Sequence, residues 1–366
     1  MSTRVDIDAS LERDGFHLDW KLQSDAKWLG LFGASGGGKT TALELALGWL
    51  RPTRGHVRLP RGAVGYGPQD LLLFPHWTVE ANLLAPGRAG RTPKPGLLER
   101  VVEAFELGPL MTRGAGQLSG GEGRRVALAR AILAASGGGL LVLDEPLSSL
   151  DRERKRRVLG LLIELKNEGL CTALIVSHSA ADLQMLCDEV QVLETSGGRS
   201  SFGSAGPPVD VLADAGGFEN ILTGVLTSIH GDSGSCTVLT QHATAGDSGL
   251  EVTIPGRGLV TGDQVVIGLR ADDVLVTLDH PGRVSARNVL GGKVVGVHPL
   301  SSYRTLEIRA DGAASSAPCF RTHITKGALD DLGIGVGTPL FLMFKTRSVE
   351  VLAVTSQGAP FADGAP

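Results

Sequence analysis

The hydrophobic pattern divides the chain into two regions that predict different architectures. Up to about residue 212, apolar runs alternate with helix-forming stretches, which predicts an α/β domain. The run Trp28–Phe32 is typical of a buried strand, and the run Thr41–Leu47 that comes after it favours a helix. From residue 220 to residue 354, short β-rich runs such as Leu340–Phe344 are separated by Gly, Asp and Ser clusters, which predicts a small barrel or sandwich.

The second region contains an internal repeat. Asn220–Gly224 resembles Asn288–Gly292, and further along the chain Leu269 matches Phe344 at a larger offset. Because the offset grows, we expect a longer loop in the second copy, around residues 311–318. The pattern therefore predicts two copies of one small β unit, at about residues 218–280 and 284–354.

Composition limits the classes of function. With 366 residues the chain can form two or three domains, and a net charge of −4 with 20% charged residues gives no bulk argument for binding nucleic acid or anionic membrane. The four cysteines have no C-x-x-C spacing, so we expect reduced thiols.

The N-terminus lacks the apolar core of a signal peptide. The best candidate for a membrane span, Val126–Leu143, is interrupted by Arg130 and Gly137–Gly139, which argues against a membrane helix.

A glycine-rich segment follows the first buried strand. Gly33–Thr40 fits the pattern G-x-x-x-x-G-K-[ST] and lies between a predicted strand and a predicted helix. Glycines let successive backbone N–H groups point at phosphate oxygens, and the helix N-terminus adds the positive end of its dipole. Lys39 would bind the β and γ phosphates, and the Thr40 hydroxyl would bind Mg²⁺. A chance match in a glycine-rich chain is the alternative, and the strand-loop-helix context argues against it.

A second element of nucleotide chemistry lies at the end of another apolar strand. Leu140–Leu143 predicts a buried strand that ends in two carboxylates, Asp144 and Glu145. Asp144 would bind Mg²⁺ through its water shell. Glu145 would polarise the attacking water, either as a general base or as a positioning group. Downstream of a phosphate loop, this otherwise common pattern predicts nucleotide hydrolysis.

A third motif lies between these two elements. In Leu118–Glu122, Ser119 is a good N-cap for the helix that follows. The two glycines leave the first N–H groups of that helix uncovered. The segment therefore predicts either a second anion-binding helix terminus or simply a capped helix. The sequence Leu-Ser-Gly-Gly-Glu resembles the signature of ATP-binding cassette (ABC) ATPases. Its position between the two phosphate-loop elements is also that family's order.

The resemblance extends to single residues and implies their roles. Gln69 matches the Q-loop, Asp151 the D-loop and His178 the switch histidine, although a lone Gln or His is usually a surface or structural side chain. The implied catalytic residues are Glu145, His178 and Gln69, and the implied Mg²⁺ ligands are Thr40, Gln69 and Asp144. The implied ATP-binding residues are Gly33, Ala34, Ser35, Gly36, Gly37, Gly38, Lys39, Thr40, Thr41, Ser119, Gly120, Gly121 and Asp151. Phe16 is a candidate for the aromatic that stacks on adenine, or else belongs to the core of an early strand.

The resemblance also implies an architecture and a mechanism. It implies an α/β P-loop NTPase domain over residues 1–215, with an inserted helical subdomain at about 73–135, followed by an all-β, OB-like domain over residues 218–356. Two such chains would form a head-to-tail homodimer, with ATP held between the phosphate loop of one and the signature helix of the other. ATP would favour the closed dimer, and hydrolysis would release it.

The C-terminal region indicates the class of transporter. Leu73–Leu83 and the extra β region resemble importer ATPases, and Ser285–Val295 and Phe344–Val349 resemble the opening and the end of a molybdenum-pterin-binding domain. Such domains bind molybdate or tungstate, which need N–H groups, hydroxyls and cations as partners. The candidate oxyanion ligands are Ser285, Arg287, Lys293, Lys345 and Ser348. The alternative is that these residues are solvated and that the domain serves only dimer contact.

These resemblances together imply the ATPase subunit of a molybdate or tungstate importer. We expect a peripheral protein at the cytoplasmic face of the inner (plasma) membrane, with integral membrane permease subunits, indirectly a solute-binding protein, and no nucleic acid as partners. The cargo could instead be sulfate, a sugar or a polyamine. A soluble ABC protein of translation or DNA repair usually has two cassettes or a long coiled-coil insertion, whereas this chain has one cassette. The intact Lys39, Asp144, Glu145 and His178 argue against a non-catalytic storage or sensor protein.

Overall fold

A computed structural model of the chain divides it into two units, residues 1–216 and 217–366. The structure describes residues 5–355 except 14, 35, 61, 69–71, 89–93, 149, 213–214, 216, 232–233, 241–248, 257, 301–302 and 313–318.

The strands that the structure describes in the first unit form one mixed sheet. They are β1 (Val5–Arg13), β2 (Phe16–Ser24), β3 (Trp28–Phe32), β4 (Arg54–Arg58), β5 (Val64–Gly67), β6 (Gly139–Asp144), β7 (Cys171–Ser177), β8 (Glu189–Ser196) and β9 (Arg199–Phe202). Their order across the sheet is β4-β1-β2-β9-β8-β3-β7-β6-β5. The strands from β8 to β5 are parallel to one another, whereas β4, β1 and β2 pair antiparallel.

Helices connect the parallel strands, as the alternating sequence pattern predicts. They are α1 (Lys39–Ala46), α2 (Val79–Leu83), α3 (Ala85–Arg88), α4 (Leu97–Ala104), α5 (Gly120–Ala135), α6 (Arg152–Asn167), α7 (Ala180–Leu186) and α8 (Pro208–Val211). Single 3₁₀ turns at Gly108–Leu110 and Ala115–Gln117 lie between α4 and α5. The prediction of an α/β P-loop fold for this unit is confirmed.

The central strands are buried and end at the same edge of the sheet. All six residues of β6 are buried, as expected for a parallel strand that is covered on both faces. Phe32 of β3 pairs with Ser177 of β7, and Asp144 of β6 pairs with Val176. The chain segments that leave β3, β6 and β7 therefore meet at one edge, the usual place for a ligand in an α/β sheet.

Helix α5 packs unusually close to the sheet. A Cβ atom on Gly65 of β5 would lie 1.9 Å from the carbonyl oxygen of Ala131, so only glycine fits there.

The apolar segment Val126–Leu143 is split between α5 and β6, in agreement with the prediction that it does not span a membrane. Within the described ranges, the helices are all too short or too polar to cross a bilayer.

In its described residues, the second unit consists of β-strands with one short helix, α9 (Lys326–Asp331), and two 3₁₀ turns at Ala271–Asp273 and Thr346–Ser348. Its strands are β10 (Asn220–His230), β11 (Ser235–Thr240), β12 (Glu251–Pro255), β13 (Gln264–Leu269), β14 (Leu275–Thr277), β15 (Asn288–Leu300), β16 (Tyr303–Ala310), β17 (Phe320–Thr325), β18 (Pro339–Phe344) and β19 (Glu350–Thr355). Two five-stranded sheets have the orders β12-β11-β10-β13-β19 and β14-β18-β15-β16-β17. Both sheets contribute side chains to one apolar core.

The two repeats exchange their last strands. β10–β13 and β15–β18 have the same topology, but β14, which ends the first repeat, pairs with β18, and β19, which ends the second, pairs with β13. Each sheet is thus completed by a strand from the other repeat. The prediction of an all-β, OB-like unit with an internal repeat is confirmed.

The extra length of the second repeat lies elsewhere than predicted. Strand pairing shows that Pro255 of β12 and His323 of β17 occupy equivalent positions in the two repeats. They are 68 residues apart, the same separation as between Asn220 and Asn288. At the next equivalent pair, Leu269 of β13 and Phe344 of β18, the separation is 75 residues. The additional residues therefore lie between β17 and β18, where α9 and the turn after it are found. The expected longer loop around residues 311–318 is wrong, because a helix was added one connection later.

Two equivalent asparagines link the two sheets reciprocally. Asn220 bonds the backbone of Arg321 in β17 through both its amide nitrogen and its oxygen (2.9 and 2.6 Å), and Asn288 does the same to Thr253 in β12 (2.9 and 2.7 Å). Both side chains are buried. Each asparagine begins the first strand of its repeat and satisfies backbone groups on an edge strand of the other sheet, which stabilises the pairing.

Candidate functional site

The glycine-rich loop after β3 has the backbone of a phosphate-binding loop. Gly36 and Gly38 have φ of 80° and 102°, a region that favours glycine. The loop closes with a hydrogen bond from Gly37 N–H to the Ala34 carbonyl (3.3 Å), and α1 starts with Ala42 N–H bonded to the Gly38 carbonyl (3.0 Å). The loop therefore feeds directly into a helix N-terminus, which supplies N–H groups to an anion.

Lys39 lies buried across this loop. Its ammonium group donates to the carbonyls of Gly33 (2.7 Å) and Ala34 (2.9 Å) and lies 4.0 Å from Oε1 of Glu145. Burial lowers the pKa of Lys39, and the carboxylates of Glu145 and Asp144 oppose that shift. The ammonium thus lies between the loop and the carboxylates at the end of β6.

Thr40 and Asp144 form a pair of hard oxygen ligands. The Thr40 hydroxyl donates to Oδ2 of Asp144 at 3.1 Å, and Asp144 is buried at the end of β6. A hydroxyl and a carboxylate at this spacing fit Mg²⁺, which binds few protein oxygens and keeps several waters. The donor set of the described residues therefore suits the ion that the sequence predicts.

Glu145 and His178 are in contact at the same edge. Nδ1 of His178 lies 2.8 Å from Oε1 of Glu145, and the Glu145 side chain is 11% exposed while that of His178 is 56% exposed. Glu145 has φ of 49°, which is strained for a residue with a side chain. A carboxylate that is held by a histidine beside a phosphate loop can accept a proton from water.

The signature segment forms an exposed helix start. Ser119 caps α5 by accepting from Glu122 N–H (3.3 Å), while the Glu122 carboxylate accepts from Ser119 N–H (2.8 Å), which completes a capping box. Because Ser119 Oγ accepts in this bond, its own hydroxyl hydrogen can donate to a ligand. Gly120 and Gly121 are exposed, and a Cβ on either would meet open space. The Glu122 carboxylate is also paired with Arg113 at 3.3 Å.

Phe16 lies against the phosphate loop. Its Cζ is 2.5 Å from where a Cβ on Gly38 would be, so the ring covers the last glycine of the loop and leaves no room for a side chain there. The ring is partly buried against the core of the first unit. The packing of the ring supports its interpretation as part of the core, and stacking on adenine stays a prediction.

The remaining ATP residues are distributed over two helices. Asp151 is the N-cap of α6 and accepts from Arg154 N–H at 3.0 Å, and Thr41 lies half-buried in the first turn of α1. The predicted Ser35 and Gln69 lie outside the described residues.

The candidate oxyanion ligands do not all lie together. The pairing of Asn288 with Phe344 brings Arg287 beside Lys345, and both are exposed. Lys293 pairs with Pro339, six residues from Arg287 along the strand and therefore about 20 Å away at ~3.4 Å per residue. Ser285 is exposed two residues before Arg287.

Ser348 contacts a residue that sequence reasoning missed. Its hydroxyl donates to Oδ1 of Asp273 at 3.1 Å. The separation of Asp273 from Ser348 equals that of Leu269 from Phe344, so Asp273 occupies the equivalent position of the first repeat. The repeat offset was the signal that could have found this pair.

Comparisons with known proteins identify the families to which the two units are similar. The model of the ABC transporter family matches residues 17–148, and that of the TOBE domain matches residues 284–351. The molybdenum import ATP-binding protein ModC of Mesorhizobium japonicum is 31% identical, over 98% of this chain and 99% of the relative. Proteins of the same name from Rhizobium meliloti and Granulibacter bethesdensis are each 32% identical, over 89% and 88% of this chain and 95% and 91% of the relatives.

The similarity extends over both units. The chain belongs to the family of the molybdenum import ATP-binding proteins, and it is an ABC-type ATPase.

Proposed function

We propose that this chain energises the import of molybdate or tungstate, as a homodimer bound to integral membrane permease subunits at the cytoplasmic face of the inner membrane. The observation that carries the ATPase chemistry is the meeting of Lys39, Glu145 and His178 at the carboxyl edge of the sheet. The cargo is supported by the relatives' names and by the TOBE match. We take residues 1–215 as the ATPase domain, with the helical subdomain at about 73–135, and residues 218–356 as the cargo or regulatory domain.

Phosphate binding is the first step that the geometry supports. The ammonium of Lys39 has three N–H donors, two of which are bonded to the carbonyls of Gly33 and Ala34. When ATP binds, these donors would bond to the β and γ phosphates instead. The N–H groups of the loop and of the first turn of α1 bind the same phosphates. Phe16 would stack on the adenine, because its ring lies over the loop.

Thr40 and Asp144 would hold Mg²⁺, with Gln69 as a further ligand. The ion neutralises charge on the β and γ phosphates when bound. Glu145 would accept the proton of the attacking water, and His178 keeps the carboxylate oriented through the 2.8 Å contact.

A second chain would complete each site. The Ser119 hydroxyl and the bare N–H groups of Gly120 and Gly121 face outwards and suit a γ-phosphate held by the partner. Asp151, at the start of α6, would face the same nucleotide. Hydrolysis would break the bond between the β and γ phosphates, and once inorganic phosphate leaves, the contacts that hold the two chains together would be lost and the dimer would open.

Oxyanion binding is proposed for the place where the opening and the end of the second repeat lie side by side. Arg287 and Lys345 are exposed cations beside each other, and Ser285 adds a hydroxyl. Lys293 is left out of this group because it lies too far along β15. The first repeat has Asp272 and Asp273 where the second has Arg347 and Ser348, so one anion site per chain is favoured over two.

Two measurements test this function. ATPase activity of the complex with its co-purified membrane subunits should be stimulated by molybdate or tungstate, and not by sulfate, a sugar or a polyamine. Calorimetric titration of the full chain should detect molybdate, and Arg287→Ala should weaken binding about tenfold to a hundredfold, since a charge-assisted bond contributes about 1.5–3 kcal/mol. Arg283→Ala, an exposed arginine four residues earlier, is the matched control. Stimulation by another solute alone would reassign the cargo.

A further inference from the structure

Glu106 has an unusual backbone in a turn outside the nucleotide site. Among the residues that the structure describes, Glu106 and Glu145 are the two non-glycine residues with positive φ, at 51° and 49°. Glu106 lies between α4 and the 3₁₀ turn at Gly108–Leu110. A strained conformation persists where surrounding contacts enforce it, and glycine would adopt it without a side-chain clash.

Three arginines from two helices converge on this residue. Its carboxylate accepts from Nε of Arg154 (2.8 Å) and lies 2.7 Å from Nη1 of Arg157, both on α6. From α5, Nη1 of Arg125 donates to the Phe105 carbonyl at 2.6 Å and lies 3.4 Å from the Glu106 carbonyl. The hydrogen bond from Arg154 is the main cause that lowers the pKa of Glu106. The Glu106 carboxylate thus lies against two guanidinium groups of α6, while Arg125 of α5 contacts the backbone carbonyls of the same turn.

The same contacts connect the starts of two functional helices. Arg154 also bonds the carboxylate of Asp151, the N-cap of α6. Arg125 lies on the second turn of α5, whose N-cap is Ser119. On its other side, α6 is tied to α7 by Lys155 and Asp182 (2.6 Å), and α7 begins just after His178. Without the Glu106 carboxylate, the like charges of the three arginines would repel one another more strongly.

We propose that Glu106 is a positioning residue for ATP hydrolysis. Its carboxylate holds the start of α6, and its backbone carbonyl and that of Phe105 are held by Arg125 of α5. The turn therefore keeps the starts of the two helices at a fixed spacing, so that Ser119 and Asp151 meet the partner's nucleotide together. This inference rests on the proposed sharing of ATP between two chains. It assigns to the turn at Glu106 a role in closing the dimer. A purely structural ion pair at this place would affect the stability of the chain and not its turnover.

Two substitutions of Glu106 separate positioning from stability. Glu106→Gln keeps the shape and removes the charge, and should lower kcat roughly 3- to 30-fold, the range of coupling effects through such networks, with little change in KM for ATP. Glu106→Gly removes the same charge but relieves the backbone, so its melting temperature should exceed that of Glu106→Gln while its kcat is equally low. The more stable of the two variants would then be no more active.

The matched control is a second ion pair between α4 and α6. Arg100 contacts Glu164 (2.6 Å) and Glu168 (2.8 Å) near the far end of α6. Arg100→Gln should lower the melting temperature and leave kcat unchanged. If Glu106→Gln does not fold, Arg154→Met removes the same contact from α6 and should give the same loss of kcat.

The outcomes are distinguishable. Wild-type kcat in the folded Glu106 variants, or loss of kcat only in step with the melting temperature, would overturn the inference while the proposed function stands. Equal loss of kcat in Arg100→Gln would overturn it too. Wild-type turnover in Glu145→Gln would instead overturn the proposed hydrolytic site, and with it this role of Glu106.

Discussion

His178 contacts the carboxylate of Glu145 through Nδ1, at 2.8 Å from Oε1, and the same oxygen lies 4.0 Å from the ammonium of Lys39. The carboxylate is therefore held between a histidine and the lysine of the phosphate loop. This contact allows the roles of the two side chains to be tested separately.

Glu145→Gln removes the proton acceptor and keeps the shape of the side chain. We expect kcat to fall about 10²- to 10⁴-fold, the usual contribution of a general base, while MgATP still binds. The variant should accumulate as an ATP-bound dimer on gel filtration. Glu164→Gln, which removes a largely buried carboxylate near the far end of α6, is the control for a general loss of fold. Near-normal turnover would remove Glu145 from its role.

The shared ATP site is tested by mixing two inactive variants. Ser119→Arg should abolish hydrolysis and leave nucleotide binding to the single chain intact, because Ser119 would act on the partner's nucleotide. Lys39→Ala should weaken binding within its own chain. A mixture of the two should regain one working site per dimer, measured as ATPase activity against mixing ratio. An absence of recovery at every ratio would contradict the shared-site geometry.

The strand-loop-helix unit around Gly33–Thr40 could be predicted because it depends on local sequence. The meeting of Lys39, Glu145 and His178 depends on strand order, which the ABC resemblance implies and which periodicity does not reveal. Once β3, β6 and β7 are parallel neighbours, their carboxyl ends must converge.

Other features could not be predicted. Glu106 and Arg154 are far apart in the sequence, and the run of basic residues at the start of α6 has the composition of an ordinary solvated helix face. The offset between repeats revealed added residues but not their position, because β16 and β17 share too little sequence with β11 and β12 to fix each boundary. α9 was missed for that reason.

The lowered pKa of Glu106 predicts an acid-sensitive contribution to stability. A carboxylate whose pKa is lower in the folded state stabilises the fold above its unfolded pKa, ordinarily ~4.3, and the effect is lost as the pH falls through the lower folded value. Glu106→Gln should therefore lose less stability than the wild type between neutral pH and about pH 3. Thermal unfolding at a series of pH values measures this. An equal loss of stability at low pH in the variant and the wild type would contradict the prediction.

The cysteines should differ in reactivity. Burial raises the pKa of Cys171 to about 12 and that of Cys236 to about 11, and it also raises that of the buried Cys187. Thiolate is therefore scarce at these three positions, whereas Cys319 is partly exposed. A thiol reagent at pH 8 should label one group quickly in the native protein and four after unfolding. Loss of the fast phase in Cys319→Ser would identify it, and two fast groups would contradict the prediction.

Asn288→Ala should destabilise the second unit. The change leaves the N–H and the carbonyl of Thr253 without their side-chain partner, and each unsatisfied buried group costs about 1–3 kcal/mol. Asn220→Ala should have a similar effect through Arg321. Denaturant unfolding gives the change in free energy, with the exposed Val336→Ala as the control. Variants as stable as the wild type would show that water replaces the amide.

The exchange of β14 and β19 between the two sheets has a consequence for a chain that is cut. A nick in the connection between Thr277 and Asn288 would leave each fragment with its last strand seated in the sheet of the other. The two pieces should remain associated without a covalent link and should recombine when expressed separately. Because each half is completed only by its counterpart, this unit offers a natural place to divide the protein into complementing halves.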